Sequence, residues 1–147
     1  MSFWNKIFGG PRRTEQVDYY EEGVALARQG KLHESLTSLR LALKEAPGDP
    51  IVLQQIAMAY TRIGMDEEAI KTYRHVLSRN PREVGAHYGL AFLLLKRNED
   101  EEAVEHLRAF LGGPPLGTRA HRHVAHARAT LTDLIGEEPT DVRRRHA

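Results

Sequence analysis

Pro47, Pro81 and Pro115 stand 34 residues apart, and that period constrains the fold more than any other feature of the chain. A fixed step of this length marks stacked helical hairpins, each too small to bury its apolar face without a neighbour. Other positions keep the step. Gly30, Gly64 and Asn98 recur where a helix would end in a left-handed residue, a conformation that Gly and Asn adopt at low steric cost. Gly23, Ala57 and Ala91 recur as small residues, as do Ser35, Ala69 and Ala103, which suits places where two helix backbones approach closely. Large side chains fill the gaps: Leu26, Tyr60, Leu94, and again Leu39, Tyr73, Leu107. Leu53, Ala57 and Tyr60 step by four and three, the spacing of one helical face, and Tyr19, Gly23, Leu26 and His87, Ala91, Leu94 repeat it.

These residues at this spacing resemble the tetratricopeptide repeat family, over roughly residues 16–117. Glu22 stands where the family usually has an apolar residue, and Phe110 where it usually has a small one. The pentatricopeptide family, which reads RNA, is the nearest confusable relative, with a period one residue longer and a more basic surface. The resemblance implies an all-α fold, a right-handed α-solenoid of three helix-turn-helix repeats (about 16–49, 50–83 and 84–117). A C-terminal capping helix over 118–135 is expected to follow, with Val124, Ala127, Leu131, Leu134 and Ile135 on one stripe and Gly136 as its stop. A stack of hairpins leaves its last apolar face open, and such a helix covers it. Residues 1–14 read as an amphipathic segment with a Gly-Gly-Pro hinge, 15–135 as the solenoid, and 136–147 as a charged tail.

A length of 147 residues favours one compact unit, and 41% apolar with 28% charged residues fits a folded chain with a core. Twenty-one Lys and Arg against 20 Asp and Glu leave a net charge of +1, no global field for nucleic acid, so none is expected as a partner. The absence of cysteine removes disulfides, thiolate ligands and a cysteine nucleophile. The longest apolar run, Leu90 to Leu95, is six residues, far below the roughly 18 of a spanning helix. A cytoplasmic location is expected, with a position peripheral to a membrane as the second reading.

Each first helix carries a second stripe: Tyr20, Val24, Arg28; Gln54, Met58, Arg62; Tyr88, Phe92, Lys96. A solvated face would not repeat an apolar residue at its middle, and the third row is cationic throughout. In the family this chain resembles, the corresponding helices line a concave surface that holds a peptide or a helix, which implies these nine residues as the partner-binding site. Some relatives grip a terminal carboxylate with Lys and Asn side chains; Tyr20, Val24, Gln55, Gly85 and Gly89 stand at those places, so that clamp is absent. The competing reading of Val24, Met58 and Phe92 is that they pack on neighbouring repeats or on the cap.

Phe3, Trp4, Ile7 and Phe8 share one side of a short helical stretch before Gly9-Gly10-Pro11 and Arg12-Arg13, and form a candidate N-terminal docking element. Burying four such side chains gains roughly 6–12 kcal/mol gross, while ordering eight residues costs about 8–16 kcal/mol. The element therefore needs support from Lys6, Arg12 and Arg13, from a protein pocket or from a membrane surface. Docking on protein, contact of residues 1–10 with a membrane or membrane complex, and disorder all stay open, as does a fold-back into the groove.

The chemistry of catalysis is missing. His33-Glu34 begins like a zinc-protease motif, but Thr37 occupies the place of its second histidine. His123 and His126 share a helical face and His87 is a third candidate ligand, but no metal is expected. The acidic starts Asp66-Glu67-Glu68 and Glu99-Asp100-Glu101-Glu102 complement helix dipoles and lack the ligand spacing of a calcium loop. The expectation is a non-catalytic adaptor or assembly factor without a cofactor, holding an apolar peptide or helix with acidic flanks. The alternative is a peripheral scaffold subunit of a membrane-associated complex, docked through the Phe/Trp segment.

Overall fold

The computed structural model describes residues 16–113 and 117–136, all helix and short connections. Seven α-helices follow one another: α1 Tyr19–Arg28, α2 Leu32–Glu45, α3 Pro50–Ile63, α4 Asp66–Arg79, α5 Val84–Lys96, α6 Asp100–Leu111 and α7 His121–Ile135, the last preceded by a 3-10 turn at Thr118–Ala120. α1 packs on α2, α3 on α4 and α5 on α6; each second helix then packs on the next first helix, and α6 on α7. First helices also touch across repeats, α1 to α3 and α3 to α5, so the three hairpins form a solenoid closed at its C-terminal end by α7.

The helix boundaries have local causes. Asp18 and Asp49 cap α1 and α3, accepting from the Glu21 and Ile51 amides at 3.0 and 2.9 Å, and Pro50 opens α3 where its missing N–H costs nothing. The turn inside each hairpin passes through a left-handed residue, Gly30 (φ 77°), Gly64 (φ 92°) and Asn98 (φ 60°), as their shared period predicts. Helices α4 and α6 have no side-chain cap, and their acidic first turns face the free amides instead. The same acids also tie the second hairpin to the third, a role the sequence reading did not foresee. Lys96 reaches Asp66 at 2.7 Å, Arg97 reaches Glu67 at 2.8 Å, and Arg74 reaches Glu102 at 3.1 Å.

Close packing explains the small residues. Gly23 lies against Leu39, and a Cβ there would stand 2.7 Å from the Leu39 Cγ. The Ser35 hydroxyl is buried and donates to the Gly23 carbonyl at 2.6 Å, so a polar group is satisfied at the tightest crossing. Ala57, Ala69, Ala91 and Ala103 are fully buried. Three apolar clusters run along the stack. The first joins α2 to α3 through Leu36, Leu39 and Ile56; the second joins α3, α4 and α5 through Leu53, Tyr73 and Leu90; the third joins α5 and α6 to the cap through Leu107, Phe110 and Leu131. Phe110, the departure from the small-residue pattern, is buried in the third cluster, and Glu22 is exposed.

Candidate functional site

A groove of about 620 Å³ opens where α3, α5 and the cap meet. One wall is α3, with Gln54, Met58 and Thr61; the floor is α5, with Gly85, Tyr88, Gly89 and Phe92, together with Tyr73 of α4 and Phe110 of α6; the far wall is Ala120, His123 and His126. The lining is almost entirely carbon, and it falls in the size range of ligand pockets. The groove depends on two glycines one turn apart. A Cβ on Gly85 would collide with the Gln54 side chain, and one on Gly89 with the Tyr73 ring. Without those carbons, Gln54 and Tyr73 lie flat on α5.

Tyr88 organises the aromatic end. Its ring stands 4.8 Å from Phe92, 5.1 Å from Phe110 and 4.8 Å from His123, and its hydroxyl lies 2.9 Å from His126 Nδ1. The His126 ring stacks on Phe92 at 4.4 Å with only 10° between planes. Burial raises the Tyr88 pKa, which keeps the phenol protonated and able to donate to Nδ1. Tyr73, more deeply buried, is raised for the same reason, against a lowering hydrogen bond with Thr61.

The nine residues of the concave stripe do not all line the groove. Gln54, Met58, Tyr88, Phe92 and Lys96 line the groove. Tyr20, Val24 and Arg28 line a separate depression on α1, together with Asp18, Glu21 and Glu22, and Tyr20 also packs against the first apolar cluster. Arg62 lines neither, because its guanidinium donates to the Ala27 carbonyl at 2.8 Å and so ties α3 to α1. Lys96 is paired with Asp66. The uniform cationic edge is therefore two internal contacts and Arg28. Met58 is the most open of the apolar members at 43% exposure, whereas Phe92 is half-covered by the cap. Phe3, Trp4, Ile7 and Phe8 lie outside the described residues.

The three candidate metal ligands separate. His123 and His126 face Tyr88, while His87 points to the other side of α5. There its Nδ1 meets His106 Nδ1 at 2.9 Å and its Nε2 meets the Pro81 carbonyl at 2.7 Å. A carbonyl only accepts, so Nε2 carries hydrogen; a neutral His87 then offers a bare Nδ1 to the His106 N–H. Burial first, and then the neighbouring His87, hold the His106 pKa below the ordinary histidine value, while Glu102 and Glu105 act the other way. Among the described residues, no group of three or more His, Cys, Asp or Glu side chains is placed to hold a metal ion.

Sequence reasoning missed Tyr73, Gly85 and Gly89 as groove residues, and it weighed His123 and His126 only as metal ligands, a role it did not expect, without placing them in the groove. The four-residue spacing of the glycines was a usable signal, because two glycines on one face of a helix mark a close approach.

A tetratricopeptide repeat family model matches residues 66–117. A curated relative, the photosystem I assembly protein Ycf3 of Synechococcus sp. (strain CC9605), is 32% identical over 75 residues, which are 49% of this chain and 43% of that protein. The chain thus spans less than half the length of the curated relative it matches. The Sgt2 tetratricopeptide domain of Aspergillus fumigatus superimposes with a TM-score of 0.66 at 22% identity, over 90% of this chain and 93% of that one. The Yersinia enterocolitica type III secretion chaperone SycD, solved with a peptide of the translocator YopD, gives 0.73 at 15% identity over 79% and 88%. At these identities the structures speak for the fold alone. The repeat period, the solenoid of hairpins and the family model over residues 66–117 agree on the tetratricopeptide repeat, and the solved structures share its fold.

Proposed function

We propose that this chain is an adaptor or assembly factor that holds an apolar segment of another protein in the groove between α3, α5 and α7. The observation that carries the reading is the groove itself: aromatic, carbon-lined and with few hydrogen-bonding groups of its own. An extended peptide brings two backbone polar groups per residue that need partners, whereas a helix satisfies its own. The lining therefore suits an amphipathic helix that inserts apolar side chains between Met58, Tyr88 and Phe92, the helix-in-groove mode of recognition. Lys96, at the groove's end, offers a charge to an acidic flank in exchange with Asp66, and Arg28 serves a longer partner that continues over α1. The peptide-bound SycD structure and the name of the Ycf3 relative, an assembly protein, support the same class of function.

The test combines Met58→Lys with Phe92→Ala and measures capture of partner from the native cell beside the helical content of the variant. Loss of capture with the helical signal retained supports the site. Capture that survives both changes rejects it.

A further inference from the structure

We infer that the groove's resident occupant, before a partner arrives, is the amino-terminal segment of this same chain, residues 3–8, seated through Phe3, Trp4, Ile7 and Phe8. The inference rests on the groove reading above and adds its regulation.

Reach allows it. First helices contact each other along the stack, α1 with α3 and α3 with α5. At 8–10 Å between packed helix axes, α1 lies about 16–20 Å from α5. Residues 9–16 connect the segment to the start of the described chain, and eight extended residues span roughly 26–29 Å. The approach is also from the right end. Hairpins make the first helices run parallel, and the groove begins at Val84 and Gly85 in the first turn of α5, on the side where the chain enters α1.

Charge supports the same path. The depression on α1 is lined by Asp18, Glu21 and Glu22 beside Tyr20 and Val24. Arg12 and Arg13 stand only a few residues before Asp18 in the sequence, within reach of these acids, and Gly9-Gly10-Pro11 allows a bend beyond them. The other chain end fits poorly: residues 137–147 contain no Phe, Tyr or Trp and carry Glu137, Glu138, Asp141 and three consecutive arginines. An intramolecular segment on a short linker acts at an effective concentration on the order of millimolar, enough to fill a weak site and weak enough for a dedicated partner to displace it.

Trp4 is the only tryptophan, so indole fluorescence of the full chain reads this segment alone. The expected result is a blue-shifted emission, quenched by acrylamide severalfold less than free N-acetyltryptophanamide and independent of protein concentration. Met58→Lys should return both readings to solvent values while circular dichroism stays unchanged, since Met58 is exposed. Ile7→Ser, which leaves the solenoid untouched, should do the same. A solvent-like Trp4 in the unaltered chain overturns the inference, as does shielding that Met58→Lys leaves intact. Shielding lost on dilution would mean a second copy as the occupant, and shielding gained only with anionic phosphatidylserine vesicles would mean a lipid surface; either overturns it. If Trp4 is solvent-like while the double groove variant still loses its partner, only the occupant is wrong. If Met58 controls Trp4 but the double variant keeps its partner, the partner-binding reading is wrong and the occupant stands.

Discussion

The first and third hairpins follow one sequence pattern and meet different surroundings. Tyr20, Val24 and Arg28 on α1 and Tyr88, Phe92 and Lys96 on α5 occupy equivalent places 68 residues apart. On α1 they border a depression lined by α1 and its N-cap alone, because among the described residues no helix precedes α1. On α5 the same stripe is flanked by α3 and roofed by α7, and it becomes the floor of a groove. What a repeat position does is decided by the neighbour its helix receives, not by the position itself. A solenoid stabilised mainly by nearest-neighbour interfaces behaves this way generally.

The largest expected contrast is in stability. Leu107 is fully buried between α5, α6 and the cap, and Leu107→Ala should cost about 2–5 kcal/mol through lost transfer energy and the cavity left behind. Val24→Ala on the open face should cost about 1 kcal/mol or less, since only half of a small side chain leaves contact. Urea unfolding of the two variants checks this, and equal losses would break the contrast between a capped and an open repeat.

The next effect concerns the groove floor. Gly89→Ala places a Cβ against the Tyr73 ring, which is itself buried and has little room to retreat. Overpacking of about 1–3 kcal/mol is offset by the roughly 1 kcal/mol an alanine gains in a helix interior, leaving a net loss of about 1 kcal/mol. Thermal unfolding of this variant tests whether the glycine serves packing. A stabilised Gly89→Ala protein would mean that the Tyr73 ring moves aside easily and that the groove floor is soft.

A third effect separates α5's two faces. His106 has its pKa held below the ordinary value by burial and by His87, so the unfolded chain binds a proton more readily than the folded one. Stability should be fully present above the unfolded histidine value of about 6.5 and fall as pH drops from there toward the lower folded value. His106 Nε2 faces Glu102 at 3.6 Å, and a proton added there leaves the hydrogen between the two Nδ1 atoms in place. Unfolding midpoints measured across that pH range should flatten in His106→Asn. An unchanged slope would remove the histidine pair as its source.

The helices, their order and their stops were legible because each rests on local chemistry. The left-handed positions at Gly30, Gly64 and Asn98, the small residues at crossings and the cap stripe all follow from helix geometry applied to one period. The groove was half legible. Met58, Tyr88 and Phe92 could be read from the stripe, but the roof could not, because which face of α7 meets α5 is decided by tertiary packing. The cationic row misled for a related reason. Arg62 and Lys96 match in sequence, yet one bonds the Ala27 carbonyl of an earlier repeat and the other an acid of its neighbour. A long side chain finds its partner through space, and spacing along the chain does not identify it.

That row also carries the smallest expected effect. Lys96 and Asp66 are paired at 2.7 Å, but the lysine side chain is 62% exposed, so water and salt screen the attraction. Lys96→Gln should therefore lower stability by only about 0.2–1 kcal/mol, with the difference from the unaltered chain shrinking as salt is raised. Arg28, exposed and without an ion pair among the described residues, should show no change in stability when replaced by glutamine. Their effects on binding should run the other way along the stack. If a partner's acidic flank competes with Asp66 for Lys96, Asp66→Asn should strengthen capture while Lys96→Gln weakens it. Arg28→Gln should weaken capture only of a partner long enough to cover α1 as well. A partner indifferent to Lys96 and sensitive to Arg28 would shift the binding surface from the roofed groove to the open face.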